Sequence, residues 1–180
     1  MSPLKRLLSR FTTDRRGAVA VEFALILPVM LLFYLGTFEA SQAIIAKRKV
    51  DSAAETVGGI IARSPAMNST RMANIMLVSN ALVGASGKDK LEITVTTVTV
   101  DADGKATIDW ERRGSVAGRA KGTRYTLPTE LRGIKDAYFV LSTVSYTHRP
   151  LFDFAIPEAG LRFERTFSHR PRRGSVIPWS

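Results

Sequence analysis

Hydrophobic and polar positions fall into three regimes along the chain. Residues 18–46 are apolar almost throughout, with Glu22 and Glu39 as the charged exceptions, and the stretch 23–38 (FALILPVMLLFYLGTF) carries no charge at all. Beyond it the apolar positions thin to Ala43, Ala46, Val50, Ala53, Val57 and Ile60, a heptad-like stripe down one helix face. The two patterns join into one predicted helix over residues 18–63, weakened near Gly58-Gly59 and ended by Ser64-Pro65. As a helix, residues 18–38 cover about 30 Å at ~1.5 Å per residue, enough to cross a bilayer core. The stripe that follows the apolar run calls for a partner outside the membrane.

From residue 65 onward the periods shorten and mix. Residues 69–83 (STRMANIMLVSNALV) predict a helix with a Ser or Thr cap and with Met72, Ile75, Met76 and Leu82 near helical spacing; Gly84-Ala85-Ser86-Gly87 stops it. Its methionines read as core filler. Leu91, Ile93 and Val95 then alternate with Glu92, Thr94 and Thr96, a half-buried strand whose phase switches at Val98 and Val100, which implies a bulge or burial on both faces. Asp101-Ala102-Asp103-Gly104 is a hairpin turn into a second strand carrying Ala106, Ile108 and Trp110; a calcium loop would need a downstream acidic ligand that is missing. Residues 112–124 (RRGSVAGRAKGTR) form a loose, solvated loop, and Leu127-Pro128 begins a short helical turn. Residues 137–146 (AYFVLSTVSY) carry large side chains on both faces, as a central strand does, and Leu161, Phe163 and Phe167 mark a final strand. The fold class expected is α+β: a long N-terminal, membrane-spanning and then amphipathic helix packed on a small, roughly four-stranded antiparallel sheet.

Composition narrows the chemistry. The chain has 180 residues, 45% of them apolar, too many for a disordered basic tail, and a net charge of +10. Lys5, Arg6, Arg10, Arg15 and Arg16 precede the apolar run against the single acid Asp14, which favours a cytoplasmic N-terminus, although Lys47, Arg48 and Lys49 close the segment. There is no cysteine, and the two histidines, His148 and His169, lie far apart in sequence. Disulfides, thiolate nucleophiles and His-built metal sites are therefore not expected, and no nucleophile–base pair can be assigned. The expectation is a protein that is not an enzyme, with no cofactor, no metal and no small-molecule substrate. A cleaved secretory signal ending near Ser41-Gln42-Ala43 competes for the N-terminal segment. Against it stand the helical stripe running past that point and the two acids at the edges of the apolar core.

The string Arg16-Gly17-Ala18-Val19-Ala20-Val21-Glu22-Phe23, followed by an apolar run containing Leu27-Pro28, resembles the start of TadE-like pseudopilins of the tight-adherence (Tad, or Flp) branch of type IV pili. Further along, Tyr146-Thr147-His148-Arg149-Pro150-Leu151-Phe152 and the closing Arg170-Pro171-Arg172 are similar to stretches of these proteins. The resemblance implies a pilin-like fold and a division into a basic leader (1–17), a transmembrane helix (18–46), its amphipathic extension (47–64) and an extracytoplasmic head (65–180). It implies processing by a prepilin peptidase between Gly17 and Ala18, where a residue without Cβ lets extended backbone lie close in a cleft. It also implies that Glu22 and Phe23 serve assembly, Glu22 meeting the new amine of Ala18 in a neighbouring subunit; read from the helix alone, Glu22 can instead reach the head groups, and Pro28 either serves filament packing or is an ordinary proline of a membrane helix. An unpaired acid within the span is costly, about 2.5–3.5 kcal/mol at mid-membrane. Glu39, at the outer end of the run, carries no expected role. The partners implied are the peptidase, other pseudopilin or pilin subunits and the lipid bilayer, with the chain a single-pass protein of the bacterial inner membrane and its head periplasmic. Two other classes compete: a membrane-anchored extracytoplasmic binding domain, and a nucleic-acid-binding protein using the Arg/Gly loop and the arginines at 170–173.

Overall fold

The computed structural model describes residues 16–83, 90–148, 160–172 and 176–180. Helix α1 (Arg16–Arg63) is followed by α2 (Ser69–Val83), and the strands are β1 (Lys90–Val100), β2 (Ala106–Arg113), β3 (Val116–Ala117), β4 (Ala137–His148) and β5 (Leu161–His169). A turn of 3-10 helix, Thr129–Leu131, precedes β4. The chain divides into two compact units, Met1–Gln42 and Ala43–Ser180. Residues 1–15, Gly84-Ala85-Ser86-Gly87, the Leu82 side chain and Arg149–Pro150–Leu151–Phe152 lie outside the described set.

In the first unit the described chain is helix, running through Pro28 without a break. Val19, Val21, Phe23, Leu25, Leu32, Phe33 and Tyr34 are all exposed, so the apolar surface wraps the rod on every side. A helix apolar all round belongs in lipid or inside a larger assembly. Its mean hydropathy reaches 2.4 over an 18-residue window none of which is buried, long and apolar enough to cross a membrane.

In the second unit, five antiparallel strands lie in the order β3-β2-β1-β4-β5. The expectation of roughly four strands omitted β3, a two-residue pairing of Val116 and Ala117 against Arg113 and Arg112 that is too short to leave an alternating pattern. β4 is an interior strand, as its two-sided bulk required, and pairs with β1 from Lys90↔Thr147 to Val100↔Ala137 without a slip. One face of the sheet presents Ile93, Val95, Val140, Val144 and Tyr146 to the second half of α1 and to Met72 and Ile75 of α2. The stripe on α1 thus finds its partner within its own chain: Ala46, Val50, Ala53 and Val57 are buried, joined by Ala54 and Ile61. Each fully buried Val or Ile contributes roughly 1.5–3 kcal/mol. Gly58 permits the close approach. A Cβ there would run into the His169 ring of β5 and come within 2.7 Å of Ser142 Oγ on β4, and that hydroxyl donates to the Ala54 carbonyl of α1 at 2.5 Å.

The phase change in β1 comes from burial on both faces, the second of its two expected causes. Val98 and Val100 are buried on the opposite face with Phe139 and Leu141, beneath Leu127 and Leu131 of the 3-10 segment. The pairing of β1 with β2 also slips between Thr97 and Val98, so that Trp110 faces Thr97, Ile108 faces Val98 and Asp109 is the extra residue. The Thr97 side chain completes the bulge by donating to the Trp110 carbonyl and accepting from its N–H, both at 3.1 Å. The bulge corrects the reading of β2 as one alternating strand: Ala106 and Trp110 belong to cores on opposite faces. A second correction concerns α2, whose cap is Asn68 rather than Ser or Thr; its Oδ1 accepts the Arg71 N–H at 2.9 Å. The Asp101 turn forms as expected, with Oδ1 accepting from Asp103 and Lys105 and Gly104 at φ 81°.

The loop 112–124 is solvated, but it is tied down. Glu111 is buried and accepts the Thr96 hydroxyl at 2.7 Å, the Arg119 N–H at 3.0 Å and the Arg119 guanidinium. Lys121 pairs with Asp109 at 2.6 Å. The C-terminal segment closes the other end of the head. Ile177 is fully buried, its carbonyl accepts from Trp110 Nε1 at 2.7 Å, and Trp179 bridges to Met67 just after α1.

Candidate functional site

Gly17, Ala18, Glu22, Phe23 and Pro28 all lie on the first half of α1 and all are exposed. Helical geometry brings two of them together. Ala18 and Glu22 are four residues apart, one turn and about 6 Å along the axis, and a helical side chain leans toward the N-terminus, so the Glu22 carboxylate projects toward Ala18. Phe23 begins a different face, continued by Ile26, Leu27 and Met30 at helical spacing, and is 61% exposed.

Gly17 is helical with an ordinary backbone, not at positive φ, and a Cβ built on it meets nothing within 4 Å. Nothing inside the described chain requires a glycine there, and glycine costs a helix roughly 1 kcal/mol relative to alanine. Glu22 likewise has no ion pair among the described residues. Among the described residues, no contact accounts for either of them.

Pro28 has no N–H, which leaves the carbonyl of Ala24, four residues earlier, without its helical donor. The hydroxyls of the same half-helix are satisfied locally: Thr37 donates to the Phe33 carbonyl and Ser41 to the Thr37 carbonyl, each at 2.8 Å. Such internal pairing is what a hydroxyl needs in lipid. Between them Gly36 opens a shallow groove lined by Val29, Leu32, Phe33, Thr37 and Ala40, a feature the apolar run concealed in the sequence. Glu39, near the end of the apolar run, is buried, 3% exposed.

The histidines sit where strands end, His148 closing β4 and His169 closing β5. His169 packs against α1 at Gly58, and burial pushes its pKa down; Glu55 opposes the shift, while Arg172 and Arg63 reinforce it. Among the described residues no three His, Asp or Glu side chains are grouped to hold a metal ion. The Arg170-Pro171-Arg172 stretch returns to the end of α1, where the Arg172 N–H donates to the Ala62 carbonyl at 2.8 Å.

Compared with known families, residues 17–58 match the one described as TadE-like protein. That stretch starts on Gly17, contains Ala18, Glu22, Phe23 and Pro28, and ends on the glycine that seats α1 against the sheet. No curated protein and no solved structure matches the chain.

Proposed function

The chain is TadE-like along its N-terminal helix, and on that premise we propose that it is a minor pseudopilin, a non-enzymatic assembly component of a Tad-type pilus. The chain enters the bacterial inner membrane through residues 18–46 with its basic leader in the cytoplasm and its head outside. A prepilin peptidase removes residues 1–17, and the mature helix packs laterally against those of other pilus subunits. The observation that carries this reading is a sterically free glycine at 17 and an acid at 22 with no ion pair among the described residues, both placed at the start of an apolar rod.

Each step follows from the physics of α1. Proteases take extended backbone, and Gly17 makes the first turn the easiest to unwind, by roughly 1 kcal/mol relative to alanine. Cutting after Gly17 creates an amine on Ala18. In lipid that cation and the Glu22 carboxylate are each costly alone, and they neutralise each other when subunits stand side by side. The carbonyl of Ala24 freed by Pro28 supplies a further acceptor for a neighbouring helix. The surface available for this packing is narrower than the whole of residues 18–61, because the 46–61 face is already buried against the sheet.

The test separates cutting from assembly. Glu22→Val is expected to be inserted and processed normally yet to abolish piliation, counted by electron microscopy of cells carrying it as their sole copy. Gly17→Ala is expected to leave uncut precursor in the membrane. Normal piliation by the Glu22→Val strain would remove the assembly role.

A further inference from the structure

On the face of the sheet away from α1, the half beside the Val98–Leu141 core is polar, and there the strands enclose an open hollow of about 340 Å³. Its floor is made of hydroxyls: Thr94 of β1 with Thr143 and Ser145 of β4. Ser145 is 6% exposed, and neither its hydroxyl nor that of Thr94 has a hydrogen-bond partner among the described residues, so both are available to whatever enters. One wall carries Arg162, which holds Glu164 at 3.1 Å and lies 3.9 Å from Glu92. The other carries Arg119, fixed by Glu111 with its guanidinium over the Tyr125 ring at 5.0 Å, and Arg113, which has no ion pair among the described residues.

The chemistry of this lining selects its occupant. Free hydroxyls together with alternating guanidinium donors and carboxylate acceptors suit a molecule whose own groups both donate and accept, as ring hydroxyls do. Arg113 adds one unmatched positive charge with a fork that fits a carboxylate in two parallel bonds. A compact anion with two charges on one centre, such as inorganic phosphate or a phosphate headgroup, would press both against Glu92 and Glu164, whereas a saccharide carries its carboxylates on separate rings and sets only one of them at Arg113. A peptide would want apolar anchors or a free strand edge, whereas this hollow lies on the sheet's face and, among the described residues, has Tyr125 as its one aromatic and no aliphatic lining. The volume falls at the small end of ligand pockets, roughly 300–1,000 Å³.

We propose that the hollow binds an acidic saccharide unit, as a ligand rather than a substrate, with Arg113 taking its carboxylate and Thr94, Ser145 and the Arg162–Glu164 pair taking its ring hydroxyls. This would give the head a recognition surface on the side opposite the helix it packs on. The inference stands on the head alone and does not depend on how α1 is processed.

The test is a calorimetric titration of the full chain, in a detergent without a sugar headgroup, with digalacturonate as probe, maltose as uncharged control and a Glu-Glu dipeptide as acidic control. Digalacturonate should bind, and both controls should bind at least about tenfold more weakly, the scale expected when a charged hydrogen bond is lost. Arg113→Gln should weaken digalacturonate about tenfold while leaving the melting temperature unchanged, since that side chain is exposed and unpaired. Ser145→Ala should weaken it as well. Failure of the intact chain to bind digalacturonate, equal binding by Arg113→Gln, or a preference for the dipeptide would each overturn the proposal.

Discussion

Glu111 carries its charge where burial opposes it. Desolvation alone would raise its pKa, but hydrogen bonds from the Arg119 side chain and backbone and from Thr96 hold it down to about 2, against an ordinary 4.5. Because the folded value is the lower one, this stabilisation is complete above about pH 4.5 and fades as the pH falls toward 2. Removing the Arg119 side chain would leave a buried carboxylate without its counter-ion, held by the Thr96 hydroxyl and the backbone N–H of residue 119. Arg119 is itself 49% exposed, so solvent screening reduces what the pair contributes. Arg119→Ala is therefore expected to cost about 2 kcal/mol at pH 7, and less at pH 3, in denaturant melts of the full chain in micelles. The same pairing weakens the case for the loop as a nucleic-acid contact, since Arg119 and Lys121 are already committed to acids of the head. At this scale the sequence was half readable. Gly17, Ala18, Glu22, Phe23 and Pro28 stood out through the family resemblance of the string they belong to and the apolar run around it, whereas Glu111, Arg113 and Ser145 acquire meaning only when strand register puts them on one face.

The elements show why that register was hidden. The bounds of α1 and α2 follow from local signals, an apolar run closed by Ser64-Pro65 and a second periodic run after Asn68. The interior position of β4 followed from its two-sided bulk. The bulge at Asp109 left no trace in the pattern of β2, where it acts; one extra residue reversed which face Trp110 serves. The α1–sheet contact gives two predictions. Gly58→Val places a side chain where His169 and Ser142 already sit, and overpacking of this kind costs about 1–3 kcal/mol; its melting temperature should fall well below that of Gly59→Ala, whose nearest neighbour is the flexible end of Arg63. His169, lowered below 6.5 chiefly by burial, is neutral in the fold, so its contribution is present above about pH 6.5 and is lost as the pH falls below it. Melting temperatures recorded from pH 7 to pH 5 should decline, and His169→Gln should flatten that decline.

As a whole, the chain joins an apolar rod to a head that builds its own core around the second half of the same helix. The division, after Gln42, sits inside α1 rather than at a linker, a few residues before the apolar run gives way to the stripe. The head is also closed by its last residues, through Ile177 and Trp179. Deleting residues 176–180 should therefore destabilise it by roughly 2–4 kcal/mol, the scale of an emptied Ile site, and redshift Trp110 fluorescence as solvent reaches the ring. On the function proposed above, the rod serves what it meets in the membrane, and that role depends on a cut at one peptide bond. Intact-mass measurement of the chain extracted from membranes of cells that possess the prepilin peptidase tests it most directly. A polypeptide beginning at Ala18 is the predicted result; one still beginning at Met1, or trimmed to a residue beyond Ala43, would contradict the account.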